Sequence, residues 1–230
     1  MAPKSLFPLL ASTAMIVLAS PGLAQDKTGT NVDPQGTGTK GGVAALAMAQ
    51  DLYAIGRANQ DALTVLTAAK LAASVDVKAI EQKKKTEGTE VAGQEDGTDA
   101  PVDAAAMMAS AKELAGDDEV MAGLIADAEA ESGRGRIGGA SSTLSRLPAG
   151  RTDVWEIPFY GESYAELAVV GDGDANLDVL VTDENGNTIC YDVSWSDKVY
   201  CDFVPSWNGY FYVTVQNVGS KRNSYYVYTN

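Results

Sequence analysis

The chain has 230 residues, 45% of them hydrophobic, enough to bury a core in one or two domains. A formal net charge of −14, with no basic cluster larger than Lys83-Lys84-Lys85, repels phosphate backbones and anionic lipid and argues against a nucleic-acid partner. Histidine is absent, which removes Ser-His-Asp and Cys-His machinery together with the commonest zinc and iron ligands.

Residues 1–24 read as a signal peptide: Lys4 supplies the positive start, Leu6 to Leu18 a short apolar run, and Gly22-Leu23-Ala24 the small residues of a cleavage site. No later stretch approaches the roughly 20 apolar residues of a membrane helix, so no stable insertion is expected after cleavage. The expected location is the periplasm or the exterior. Residues 25–42, rich in Thr, Gly, Asn and Asp, bury too little apolar surface to order themselves and read as a flexible tail.

Residues 43–132 carry helical spacing and read as a small domain of two helical hairpins. Leu46, Ala49, Tyr53 and Gly56 mark a first helix, and Asn59 is the expected N-cap of a second that reaches about Val75. Residues 81–100 are polar and turn-prone, an expected disordered acidic loop. Pro101 suits the first turn of a third helix with Met107, Met108, Ala111 and Leu114. After Gly116-Asp117-Asp118 a fourth carries Val120, Met121, Leu124, Ile125 and Ala128. Alanine faces bury little area each, so this unit is expected to be less stable than the one that follows.

Residues 133–146 read as a Gly/Ser-rich linker, after which the period changes from helical to alternating. Trp155, Ile157 and Phe159 share a face, as do Ala165, Leu167 and Val169, then Leu177, Val179 and Val181. Asn185-Gly186 predicts a tight hairpin turn with positive φ at both positions. Strands follow over about 187–193 and 198–204, from Gly209 with Phe211, Val213 and Val215 on one face, and over 225–229. The class is therefore α+β in separate regions, with an all-β sandwich or jelly roll over 147–230.

Cys190 and Cys201 are the only thiols, and an isolated pair in an exported chain predicts a disulfide. If Ser194 to Asp197 form a hairpin loop, the two cysteines face each other across neighbouring strands. Asp172, Asp174, Asn176 and Asp178 alternate oxygen-bearing side chains and invite a calcium ion, the one cofactor worth naming. Against it, Leu177 stands where an EF-hand loop needs Gly, and a turn whose Asp side chains bond backbone amides explains the same residues. Trp195 at a hairpin tip and Trp207 in a loop are candidate ligand contacts. No phosphate-binding glycine loop is present, and a pair of Asp/Glu residues is the one route to catalysis left open.

The run Gly171-Asp172-Gly173-Asp174-Ala175-Asn176-Leu177-Asp178-Val179-Leu180-Val181-Thr182-Asp183-Glu184-Asn185-Gly186, then Cys201-Asp202-Phe203-Val204-Pro205 and residues 209–217, resembles the bacterial pre-peptidase C-terminal domain. The resemblance covers about Leu147 to Asn230. It implies a jelly-roll sandwich carried by exported proteins, non-catalytic and associated with secretion or with binding extracellular polymers. Upstream stands the helical unit in place of a peptidase domain. The expected function is a non-enzymatic binding protein of the cell envelope or exterior, its partner an envelope or extracellular protein or polysaccharide. Alternatives are a carboxylate-dependent hydrolase of envelope polysaccharide and a secretion-assisting accessory protein.

Overall fold

The computed structural model describes residues 27–91, 97–131 and 137–230. The expected signal peptide, residues 92–96 of the acidic loop and residues 133–136 of the linker lie outside them. In chain order the elements are α1 (Gly42–Asn59), α2 (Ala62–Ala73), β1 (Val75–Ala79), β2 (Lys83–Gly88), α3 (Ala104–Ala115), α4 (Glu119–Glu131), β3 (Ile137–Leu147), β4 (Arg151–Phe159), β5 (Ala165–Gly171), β6 (Leu177–Asp183), β7 (Thr188–Asp192), β8 (Lys198–Phe203), β9 (Gly209–Asn217) and β10 (Asn223–Thr229).

The four helices fall where the periodicity puts them, but their caps differ. Asp61, not Asn59, caps α2 by accepting from the backbone N–H groups of Leu63 and Thr64. Asn59 is the last residue of α1, and the chain turns at Gln60 with φ of 54°. Asp103 caps α3, so Pro101 precedes the helix instead of opening it. Asp118 accepts from Val120 and Met121 at the start of α4. The first helix has no cap of its own: Gly41 lacks a side chain, and the Glu166 carboxylate of β5 reaches its N-terminus instead, 3.0 Å from Gly41 N and 3.3 Å from Ala44 N. A carboxylate there satisfies free N–H groups and the positive end of the helix dipole together.

The strands form two five-stranded sheets, sheet A in the order β1-β3-β10-β5-β8 and sheet B in the order β2-β4-β9-β6-β7. Without β1 and β2 the remaining eight cross from one sheet to the other at every connection except the β6–β7 hairpin, the winding of a jelly roll. Trp155, Ile157, Phe159, Leu167, Val169, Val179, Phe211, Val213 and Val227 fill the space between the sheets. Helices α1 and α2 lie on the outer face of sheet A. Val43, Leu46 and Ala49 of α1 share a second core with Ala140, Ala168, Val170 and Tyr228. This cover explains why β5 is buried at every position while β4, β6 and β9 alternate.

Several boundaries are redrawn. The expected linker contains β3, a strand pairing with β10 on one side and β1 on the other. The expected disordered loop contains β2, which extends sheet B beside β4. Beyond residue 96 that loop is also tied down, because Ser224 Oγ donates to Thr98 O at 2.6 Å and Arg222 to Gly97 O at 2.6 Å. The expected flexible tail, from Lys27 to Gly41, straps the sandwich: Asn31 is fully buried, and Asp33 N donates to Val204 O at 2.8 Å. Gly36 and Gly38 let this strap lie close, since a Cβ at either would collide with Val204 or with the Tyr164 ring. At the 185–186 turn only Gly186 has positive φ, and Asp183 side-chain bonds to the N–H groups of Asn185 and Asn187 replace the two-residue turn that was expected.

Candidate functional site

Among the expected site residues, Cys190 and Cys201 are joined, with Cα atoms 6.4 Å apart. The geometry differs from the expected one. Strand β7 pairs with β6 in sheet B, and β8 pairs with β5 in sheet A, so the bridge ties the two sheets together where the chain crosses between them.

The acidic turn is a set of hydrogen bonds to backbone amides. Asp172 accepts from the N–H groups of Asp174 (3.0 Å) and Ser224 (2.7 Å), and Asp174 accepts from Thr98 N. Asn176 donates to Asp178 at 3.4 Å. The Asp172 and Asp174 oxygens thus bond backbone amides, and no group of three acidic, His or Cys side chains among the described residues could hold a metal ion. Burial raises the Asp172 carboxyl, an effect its two backbone donors oppose. The turn also braces the crossover loop: Gly171 N donates to Asp197 O (2.8 Å), Gly173 N to the Asp197 carboxylate (2.6 Å), and Leu177 N to Ser196 O (3.2 Å).

Trp195 stands on that braced loop with 98% of its surface exposed. Tyr191 and Val193, four and two residues before it, are 67% and 66% exposed. Leu180, the register partner of Tyr191 on β6, is exposed as well. Trp207 is the opposite case, 7% exposed, with its indole N–H donating to Glu184 at 2.6 Å and its backbone N–H to Asn31 Oδ1 at 3.0 Å. It is a packing residue under the strap, not a ligand contact.

Among the described residues no helix covers sheet B. Its outer face presents Val154, Thr214, Leu180 and Tyr191 in one register row and Tyr210 and Tyr212 along β9. At one end Tyr160 and Tyr210, both exposed, line a groove of about 380 Å³ with Phe159, Glu184 and Asn208. In the sequence Tyr191 and Tyr210 look like ordinary strand tyrosines, and nothing local marks Tyr160 or Val193. The available signal was alternation, because Phe211, Val213 and Val215 facing inward oblige Tyr210 and Tyr212 to face out.

The buried charges are occupied structurally. Asp153, fully buried between the sheets, accepts from Lys84 Nζ (3.0 Å), Ser145 Oγ (2.6 Å), Thr86 Oγ1 (2.5 Å) and Tyr225 OH (2.7 Å). Trp155 Nε1 donates to the same phenol at 2.9 Å. Burial, reinforced by the Asp153 charge, pushes the Tyr225 phenol far up. Ser145 and Lys84 lie 2.5 Å apart, an arrangement that serves acyl transfer in other proteins. Here the lysine donates to both Ser145 and Asp153, and Ser145 is buried between strands, so neither group is presented to a substrate. Glu166 is engaged by α1 and by Tyr200 OH at 2.8 Å. Asp183 accepts from Asn31, Asn185 and Asn187.

Fold and site together define a jelly-roll sandwich in which, among the described residues, helices cover one sheet and leave the other bare. No family model matches the chain, and no curated protein matches it. Among solved structures, the pre-peptidase C-terminal domain of a collagenase from Bacillus anthracis aligns over 68% of this chain and 94% of its own, at 6% identity and a TM-score of 0.27. A CBM4 structure aligns over 39% of this chain and 82% of its own, at 11% identity and a TM-score of 0.26. The carbohydrate-binding module CBM36, in complex with calcium and xylotriose, aligns over 38% and 87%, at 8% identity and a TM-score of 0.24. Scores at this level say nothing of ligand or reaction. The jelly-roll assignment rests on the strand order.

Proposed function

We propose that the protein is an exported, non-catalytic binding module of the cell envelope or exterior, and that it engages a neutral polysaccharide through Trp195, Tyr191, Val193 and Leu180. The observation that carries this reading is the near-complete exposure of Trp195 on a loop held rigid by hydrogen bonds. A large aromatic left in water forgoes the roughly 2–3 kcal/mol that burial contributes, and a braced, solvent-facing ring can stack on a partner without first being ordered. The net charge of −14 favours an uncharged polymer over a polyanion. Residues 1–24 support export, as does the disulfide, which persists in oxidising compartments. No helix among the described residues is long and apolar enough to cross a membrane.

The test is affinity electrophoresis of the mature chain in gels carrying soluble neutral glucans and xylans, with sedimentation against insoluble cell-wall polysaccharide. Retardation by at least one polymer, reduced about tenfold or more in Trp195→Ala with unchanged melting temperature, is the expected result. Equal binding by wild type and variant, or reducing ends released on incubation, removes the reading.

A further inference from the structure

We propose that the groove beside Tyr160 and Tyr210 is a second saccharide contact, and that the ligand is therefore a linear neutral glycan long enough to lie across the outer face of sheet B from Trp195 to Tyr160. This rests on the reading of Trp195 as a saccharide contact and adds to it a second anchor and a minimum length of chain.

Tyr160, 78% exposed on the turn after β4, and Tyr210, 51% exposed on β9, face water from fixed backbone, as Trp195 does. Gly161 N donates to Asn208 Oδ1 at 2.8 Å and Glu162 N to Pro205 O at 2.7 Å, while Lys27 Nζ of the strap donates to Asn208 O at 3.1 Å. Gly161 lies so close to the Trp207 backbone that a Cβ there would stand 2.6 Å from Trp207 Cα. The Tyr160 turn therefore needs no ordering before it meets a partner. The groove of about 380 Å³ mixes the two rings with Lys27, Glu184 and Asn208. Ring faces set among hydrogen-bonding groups suit a pyranose, whose C–H face stacks on an aromatic while its hydroxyl rim bonds polar side chains. A purely apolar partner would leave those polar groups unmet.

A second observation points the same way. A neighbouring cavity of about 470 Å³ shares Pro158, Phe159 and Tyr210 with the groove. Gln82 lines it, and the Gln82 Oε1 atom, shielded from water, has no hydrogen-bond partner among the described residues. A shielded acceptor is ordinarily matched, and a sugar hydroxyl is a donor that matches it without bringing a charge. The register of the sheet sets the length of the ligand. Asp192, three residues before Trp195, pairs with Val179, and Val179 pairs with Val215. Tyr210 lies five residues from Val215 along β9 and two strands from β7, which places the two contacts about 20 Å apart. Tyr191 and Tyr212 face outward in the interval, so aromatic surface continues from one end to the other.

The test uses the full mature chain with its disulfide intact. Soluble β-glucan and arabinoxylan, whole and as size-graded oligosaccharides, are titrated by calorimetry. Affinity is expected to rise about tenfold or more between oligosaccharides too short to span the two contacts and those that reach both, because the second contact is then made within one complex. Tyr160→Ala combined with Tyr210→Ala, at two exposed positions, should abolish that rise at an unchanged melting temperature and keep the Trp195-dependent binding of short oligosaccharides. An affinity independent of length in wild type, or a rise that survives in the double variant, would overturn this proposal and leave the Trp195 reading standing. Binding of neither polymer, or binding that Trp195→Ala leaves unchanged, would remove the Trp195 reading and this one with it.

Discussion

Asp183 shows how one side chain can hold a remote segment. It is fully buried and accepts from Asn31 N at 2.8 Å, Asn187 N at 2.8 Å, Asn187 Nδ2 at 2.9 Å and Asn185 N at 3.0 Å. Burial alone would raise its carboxyl, but the donors outweigh that and hold it below the usual range. A carboxylate whose folded pKa lies below its unfolded one, near 3.9, contributes stability that is complete above about pH 5 and lost as pH falls through the folded value. Asp183→Ala should therefore cost about 3 kcal/mol in urea unfolding at neutral pH, since it strands several buried donors. The cost should shrink steadily as the pH is lowered below about 4. A variant as stable as wild type at neutral pH would show that the strap is not held there. The same residues explain why Trp207 misleads a reader of the sequence. Its local context is a polar loop, and the residue that covers it, Asn31, lies 176 positions earlier. Trp195 has no such distant cover, and its exposure was legible from the turn residues around it.

At the scale of the element, strands whose partners sit on one face only were legible, and the others were not. Strands β4, β6 and β9 announce themselves by alternation because one side meets the core and the other water. Strand β3 reads as a linker because Gly138, Gly139, Ala140, Ser141 and Ser142 carry small side chains. Small residues are what the site needs, since a Cβ on Gly42 of α1 would stand 3.1 Å from Gly138 O. Strand β2 reads as a loop because of Lys83, Lys84 and Lys85, yet charged residues suit a sheet edge, and Lys84 reaches inward to the buried Asp153. The disulfide was legible as a pair of cysteines, but its place between sheets was not, because pairing across a short loop is the local default and here β7 and β8 diverge to different sheets. It closes a loop with a sequence separation of 11, worth about 3 kcal/mol on chain-entropy grounds. Cys190→Ser with Cys201→Ser should lose about that much in denaturant unfolding, and wild type in reductant should match the double variant. A loss well under about 1 kcal/mol would mean that the crossover is fixed by the Asp197 contacts alone.

At the scale of the molecule, the helices are a layer of the sandwich, not a neighbour of it. Composition marks a change of character near residue 132, and the helical and β halves are correctly told apart by it. Composition cannot show that β1 and β2 leave the first half to extend both sheets, or that Ala168, Val170, Tyr200, Tyr226 and Tyr228 face the helices. Those contacts couple the halves. Glu166 of β5 supplies the N-terminal cap of α1, and Lys198 of β8 donates to Gln50 O of α1 at 3.3 Å. An Ala-rich helical pair that stood alone would melt first, but one sharing its core with sheet A has no independent boundary at which to separate. The mature chain should accordingly give one calorimetric transition with equal van't Hoff and calorimetric enthalpies. A fragment starting at residue 137 should expose the apolar outer face of sheet A and aggregate, because it lacks the helices and both edge strands together. Two resolved transitions, or a soluble and folded fragment, would mean that the alanine faces of α1 and α2 only rest on the sheet.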